Sequence, residues 1–167
     1  MKPLQTAGTF KTIIEEWGIT KADSGAIGVS MRHRITDWWD ADAKKWNTAL
    51  ADEHGVALEA HGCYGTVWIF KKDGSESFNG IEQLVSAIGW DGALVTFAKQ
   101  PESVSVVIDV KEETYEGKKQ YKASWLYPPT SDPSQRGGLS NVASAEDIQK
   151  LQDEMGARLR AAVGSKK

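Results

Sequence analysis

The stretch Val104–Tyr127, VSVVIDVKEETYEGKKQYKASWLY, constrains what this chain can fold into more than any other. Val104, Val106, Ile108 and Val110 recur at every second position, the period of a strand with one apolar face. Tyr115-Glu116-Gly117-Lys118 supplies a tight turn, because Gly117 adopts a positive φ without steric cost. A return strand follows over Gln120–Tyr127. Pro128-Pro129 ends it, since proline cannot donate to a sheet ladder. The segment is therefore a β-hairpin. On its return strand Tyr121, Ala123, Trp125 and Tyr127 share one face, while Lys122, Ser124 and Leu126 share the other. Trp125 is expected in the core, and Tyr121, nearer the tip, on the surface.

A second strand signal precedes it. From Ala26 to Trp38 the apolar row Val29, Met31, His33, Ile35 alternates with Ser30, Arg32, Arg34, Thr36. That pattern predicts a half-buried strand with two arginines on its open face, in line with Trp38. Residues 1–25 are weakly patterned, with a short strand at Thr9–Ile14. Asp40–Leu58 is polar and Ala-rich, a short helix or an inserted loop. Tyr64–Phe70 is another strand, followed by a Lys71–Gly74 turn. A compact helix follows, with Asn79 as N-cap, Ile81, Leu84, Val85 and Ile88 as its apolar stripe, and Gly89 as its stop. Trp90–Gly92 reads as a turn and Leu94–Phe97 as a short extended piece. Pro128–Val142 reads as a linker. Ser144 then caps a last helix with Ile148, Leu151, Met155 and Leu159 at helical spacing, Glu146 and Asp147 in its first turn, and Arg158 and Arg160 in its last.

With 167 residues and 40% hydrophobic content, the chain has the size of one domain plus a tail. The net charge is −3, and no third of the sequence is strongly basic. A polyanion site must come from local clustering, and duplex binding is disfavoured; single-strand binding, where stacking supplies much of the energy, is not. Cys63 is the lone cysteine, so no internal disulfide forms. No segment approaches the length of a membrane span, and the N-terminus lacks a signal-peptide pattern; a cytoplasmic protein without membrane partners is expected. Seven tryptophans exceed what a small core holds, so part of them are expected at a surface.

Strands, one helix, then a hairpin is the element order of a small Greek-key barrel. The expectation is a β-rich α+β fold: an OB-fold-like five-stranded barrel over 1–127 with an insertion near 40–60, one internal helix, a 128–143 linker and a C-terminal tail helix over 144–167. Val110–Lys118 with Ala123–Pro128 resembles the closing hairpin of phage single-stranded-DNA-binding proteins of the OB-fold type. Leu84–Gly92, LVSAIGWDG, resembles the helix and turn before it. The similarity spans roughly Ser24 to Pro128. It implies sequence-independent binding of single-stranded DNA in phage replication or recombination, in the host cytoplasm, alongside other replication or recombination proteins. Such proteins commonly end in a flexible acidic tail, whereas this chain ends in an amphipathic helix. Self-association through 144–163 is the alternative use of that end.

A single-strand site needs cations for phosphates and flat rings for bases. The candidates are Arg32, Arg34, Trp38, Trp39, Trp68, Lys71, Lys72, Lys118, Lys119, Tyr121 and Lys122. The plainer readings are a solvated strand face for the arginines and edge-protecting lysines at the hairpin tip, where Glu112, Glu113 and Glu116 offset the charge. His54, His61 and Cys63 do not complete a zinc set, so neither metal nor cofactor is expected. Asp37, Asp40 and Asp42 lack a positioned base, and no phosphate-binding, nucleophile-elbow or metalloprotease motif is present, so no catalysis is expected. The rival function is a phage-encoded module that holds a host protein through a Trp-rich surface.

Overall fold

A computed structural model describes residues 1–48, 60–136 and 143–165. The chain divides into two compact units, Met1–Ser134 and Gln135–Lys167. The first is a β-barrel-like α+β unit built on one strongly curled sheet. Its strands are β1 (Lys2–Pro3), β2 (Gly8–Lys21), β3 (Ile27–Asp40), β4 (Lys45–Asn47), β5 (His61–Phe70), β6 (Val104–Tyr115) and β7 (Lys118–Tyr127). The sheet order is β1-β5-β3-β2-β6-β7, with β4 paired to the far end of β3. Among the described residues the sheet has seven strands rather than five, because two short strands join five long ones. Among the described residues no helix is long and apolar enough to cross a membrane.

β2 and β3, of 14 residues each, form an antiparallel hairpin, so the first strand is far longer than the expected Thr9–Ile14. The inward row of β3, Val29, Met31, His33 and Ile35, is buried as its period requires, and Arg32 and Arg34 are half-buried on the outer face. A β-bulge then changes the parity. Lys11 pairs with Asp37 but Thr12 with Ile35, so Thr36 is the extra residue and Trp38 turns towards the core opposite Phe10. A second irregularity, at Glu15–Glu16, lets β2 bury Ile14 and then Trp17. Residues 45–47, expected as helix or loop, pair with Trp38–Asp40 as β4. The rest of that insertion, 49–59, lies outside the described residues.

β6 buries Val106, Ile108 and Val110, and its turn to β7 has Glu116 at φ 50° and Gly117 at φ 77°. That is the two-residue connection the hairpin predicted. A bulge between Asp109 and Val110 on the β6–β7 ladder leaves Ser124 unmatched. Period two therefore breaks there: Leu126 enters the core, while Trp125, expected inside, stays partly exposed.

α1 (Phe78–Ile88) has Ser77 rather than Asn79 at its N-cap position, without a side-chain capping bond, and ends at Gly89 in the left-handed region. Its buried side is Gly80, Gln83, Leu84 and Ala87, rotated from the expected stripe, and Val85 is exposed. The cause is close docking. A Cβ on Gly80 would run into the carbonyl of Trp68, so only glycine lets the helix sit against β5. Gln83 is buried because its Oε1 accepts the backbone N–H of Leu126 at 2.9 Å. Leu94–Ala98 is a 3-10 turn, not an extended piece. It brings Phe97 against Trp17 (5.1 Å, edge-on) and Trp90 (5.6 Å).

The second unit carries α2 (Ala145–Gly164). Ser144 Oγ accepts the N–H of Asp147 at 3.1 Å, as its sequence predicts. Arg158 and Arg160 fall before the last turn, which holds no basic residue.

Gln83→Ala should remove the side-chain acceptor of the Leu126 amide. Leaving a buried N–H unsatisfied costs about 1–3 kcal/mol. Urea unfolding of Gln83→Ala should show a lowered midpoint with an unchanged slope.

Candidate functional site

The two long edges of the curled sheet, β5 and β7, approach each other. Ala123 lies so near Gly65 that a Cβ there would be 2.7 Å from the Ala123 Cβ and carbonyl oxygen. The Cys63 thiol also hydrogen-bonds the Ala123 backbone. Beyond this contact α1 covers the seam. Before it, the seam opens into a cleft of about 870 Å³ between the N-terminal arm Met1–Gln5, Gly62–Tyr64 and Lys119–Lys122, with Arg32 at its wall. β1 forms the arm's anchor, pairing in parallel with His61–Gly62.

The cleft gathers Arg32 from β3 with Lys119, Tyr121 and Lys122 from β7. It adds two residues that the sequence reading missed, Lys2 and Tyr64. Tyr64 is directly opposite Arg32 on β5 and is 61% exposed, the most open tyrosine ring on a strand interior. Its place in the outward row Tyr64, Thr66, Trp68 was a usable signal. The place of Lys2 had none, because the arm pairs with a strand some sixty residues away. Four side chains of the lining are cationic and none is a carboxylate.

The carboxylates stand behind the cations. Arg32 meets Glu16 at 3.0 Å and Glu15 at 3.5 Å; Arg34 meets Glu15 at 2.8 Å. Lys119 reaches Glu112 at 3.5 Å and Lys122 reaches Glu113 at 3.8 Å. All of these groups are substantially exposed, so each pair is worth about 0–1 kcal/mol. The Tyr121 hydroxyl donates to Glu112 at 3.2 Å, which fixes the ring at the cleft edge.

The other candidates lie elsewhere. Arg34 is the next outward residue along β3 but is not in the lining. Lys118 starts β7 at the hairpin tip, beside the cleft. Trp38 is half-buried against the core. Trp39 stands edge-on to Trp46 at 5.2 Å, with the Lys11 ammonium 4.8 Å over the Trp46 ring. Trp68 covers Gly28 on the outer face and is 39% exposed. Between Trp68 and Tyr64 runs a row of hydroxyls, Thr20, Ser30 and Thr66. Lys71 and Lys72 sit in the turn at the opposite end of β5 and do not extend the cleft.

Inside the barrel, His33 is fully buried and its Nδ1 bonds the Thr12 hydroxyl at 3.0 Å, while Nε2 has no partner among the described residues. Burial lowers its pKa from 6.5 to about 4. Burial also pushes the Cys63 thiol up to about 12. Among the described residues no three His, Cys, Asp or Glu side chains are grouped to hold a metal. Asp40 caps its own turn through the N–H groups of Asp42 and Ala43. No known protein-family description matches the chain, and no curated protein matches it either.

Two outcomes follow from the interior. Below pH 6.5 the unfolded chain takes up a proton on His33 that the folded chain refuses until about pH 4. Stability should therefore fall as pH drops through that window, by about 3 kcal/mol at its end. Chemical unfolding of His33→Leu should show a correspondingly shallower loss than the parent protein. Cys63, buried and held as a thiol, should resist alkylation by iodoacetamide at pH 8 until denaturant is added.

Proposed function

We propose that the first unit is an OB-fold-type barrel that binds single-stranded DNA without sequence preference, with the seam cleft as its centre. The observation that carries this reading is the composition of the cleft: Lys2, Arg32, Lys119 and Lys122 around Tyr64 and Tyr121, with no carboxylate in the lining. Cations there would meet phosphates, and the two tyrosines offer flat faces to bases. The strand order supports the fold assignment. Taking only the long strands, β5-β3-β2-β6-β7 with α1 between the third and fourth in sequence is the order of a five-stranded barrel that closes β7 on β5. In such barrels the face of the second and third strands and the last hairpin loop form the binding groove. Here those are β3, β5 and the 116–117 turn, so Arg34, Trp68 and Lys118 would border the same path. The role in phage DNA replication or recombination that the hairpin's resemblance implies is part of the proposal.

A specific observation favours the second reading, a protein-binding module. Phe78 and Val85, two turns apart on one side of α1, are 77% and 51% exposed, away from the cleft.

Anisotropy of a labelled oligo-dT separates the two. Saturable binding is expected, weakening with salt at a slope of about −2 for three phosphate contacts. Tyr64→Ala should weaken it by about five- to hundred-fold, the value of one stacked base. Lys119→Glu with Lys122→Glu should do the same without lowering the melting temperature. Phe78→Ser with Val85→Ser should leave it unchanged. No binding at micromolar protein and low salt would remove the DNA reading.

A further inference from the structure

We propose that α2 is a self-association element in which two copies of this chain pair antiparallel, centred on Met155 and Gly156. The inference concerns the second unit alone and does not depend on the single-strand reading.

The helix has an apolar face formed by Ile148, Leu151, Met155, Leu159 and Val163, every one of which is between 44% and 63% exposed. In proteins a helix gains most of its stability by burying such a face. What fits over it is indicated by the spacing. Leu151 and Leu159 lie four residues on either side of Met155, and Ile148 and Val163 are equidistant from the Met155–Gly156 midpoint. A twofold pair requires that residue i meet j while j meets i. The face therefore matches its own reverse: Ile148 with the partner's Val163, Leu151 with the partner's Leu159, Met155 with the partner's Met155.

Charge selects the same direction. The half before Met155 carries Glu146, Asp147, Asp153 and Glu154 against one Lys150, a net of −3. The half from Met155 to Gly164 carries Arg158 and Arg160, a net of +2. Antiparallel pairing sets the acidic half of each helix against the basic half of the other; parallel pairing stacks like on like. By helical spacing Glu154 and Arg158 border the stripe on the Leu151 side, so each Glu154 faces the partner's Arg158 across the rim. Gly156 completes the fit. Glycine in a helix interior costs about 1 kcal/mol relative to Ala. At this midpoint the Gln152 side chain folds over the bare backbone with Arg160 beside it, and both are flexible chains that can swing aside for the partner's Met155.

Sedimentation equilibrium of the full chain tests this. The expected result is a concentration-dependent mass approaching twice 18.3 kDa. Leu151→Glu with Leu159→Glu should return it to the monomer, and so should Gly156→Leu, even though leucine is the better helix former. Glu154→Arg should weaken the dimer about tenfold, and adding Arg158→Glu should restore it. For direction, Ile148→Cys and Val163→Cys chains should form a disulfide when mixed and not when each is oxidised alone. A chain that stays monomeric at about 100 μM, a dimer indifferent to the stripe substitutions, or self-linking of Ile148→Cys alone would each overturn the proposal.

Discussion

The amide of Leu126, on the last strand of the sheet order, donates its proton to the Gln83 side chain instead of to a strand, and the closure of the first unit turns on that interaction. A sheet that curls until β5 nears β7 brings two edges together, and edges carry unpaired backbone groups that must be satisfied or covered. The edges meet closely where side chains are smallest, at Gly65 and Ala123. Past that point α1 spans the two strands, presenting Gln83 to Leu126 and a bare backbone at Gly80 to the Trp68 carbonyl. A buried glutamine and a helical glycine are unfavourable taken singly. Here both follow from one requirement, that a helix stand in for a missing strand. The other side of the contact has no helix. The N-terminal arm takes one edge of it, and the remaining space is the cleft.

The cleft's electrostatics follow from its position on an edge. Every ion pair described at its cations joins two exposed or half-exposed groups on adjacent positions of the sheet. Such pairs are weak enough for a phosphate to displace a carboxylate at little cost. A chain of net charge −3 can thus carry a locally cationic groove without a long-range positive field. Affinity at such a site would rest on stacking as much as on charge.

Much of the framework was legible from period and turn chemistry. The inward row of β3, the 116–117 turn, the Gly89 stop and the Ser144 cap all follow from local rules. What escaped was parity. Bulges at Thr36, Glu15–Glu16 and Ser124 each flip a strand's faces, and a bulge is set by what the partner strand opposes, not by the residues themselves. Extending period two through Ser124 placed Trp125 inside and Leu126 outside, the reverse of what the ladder imposes. Site residues were legible as types. Their convergence was not, since Arg32, Tyr64 and Lys119 meet only through the closure of the sheet.

Parity also redistributes the aromatic residues. Seven tryptophans in a small chain suggested a recognition surface, yet most are placed as structure. Trp17 and Trp90 close around Phe97, each with its indole N–H on a backbone carbonyl. Trp38 is turned inward by the Thr36 bulge, and Trp39 and Trp46 lock β4 onto the end of β3. Trp68 spreads over Gly28, where any side chain would collide with it. The rings left at the cleft are tyrosines. A tyrosine's hydroxyl can be anchored at a wet edge, as Tyr121 is on Glu112 while its ring packs partly against the core. A strand edge facing solvent suits tyrosine for that reason, and the candidate stacking surface passes from the conspicuous tryptophans to Tyr64 and Tyr121.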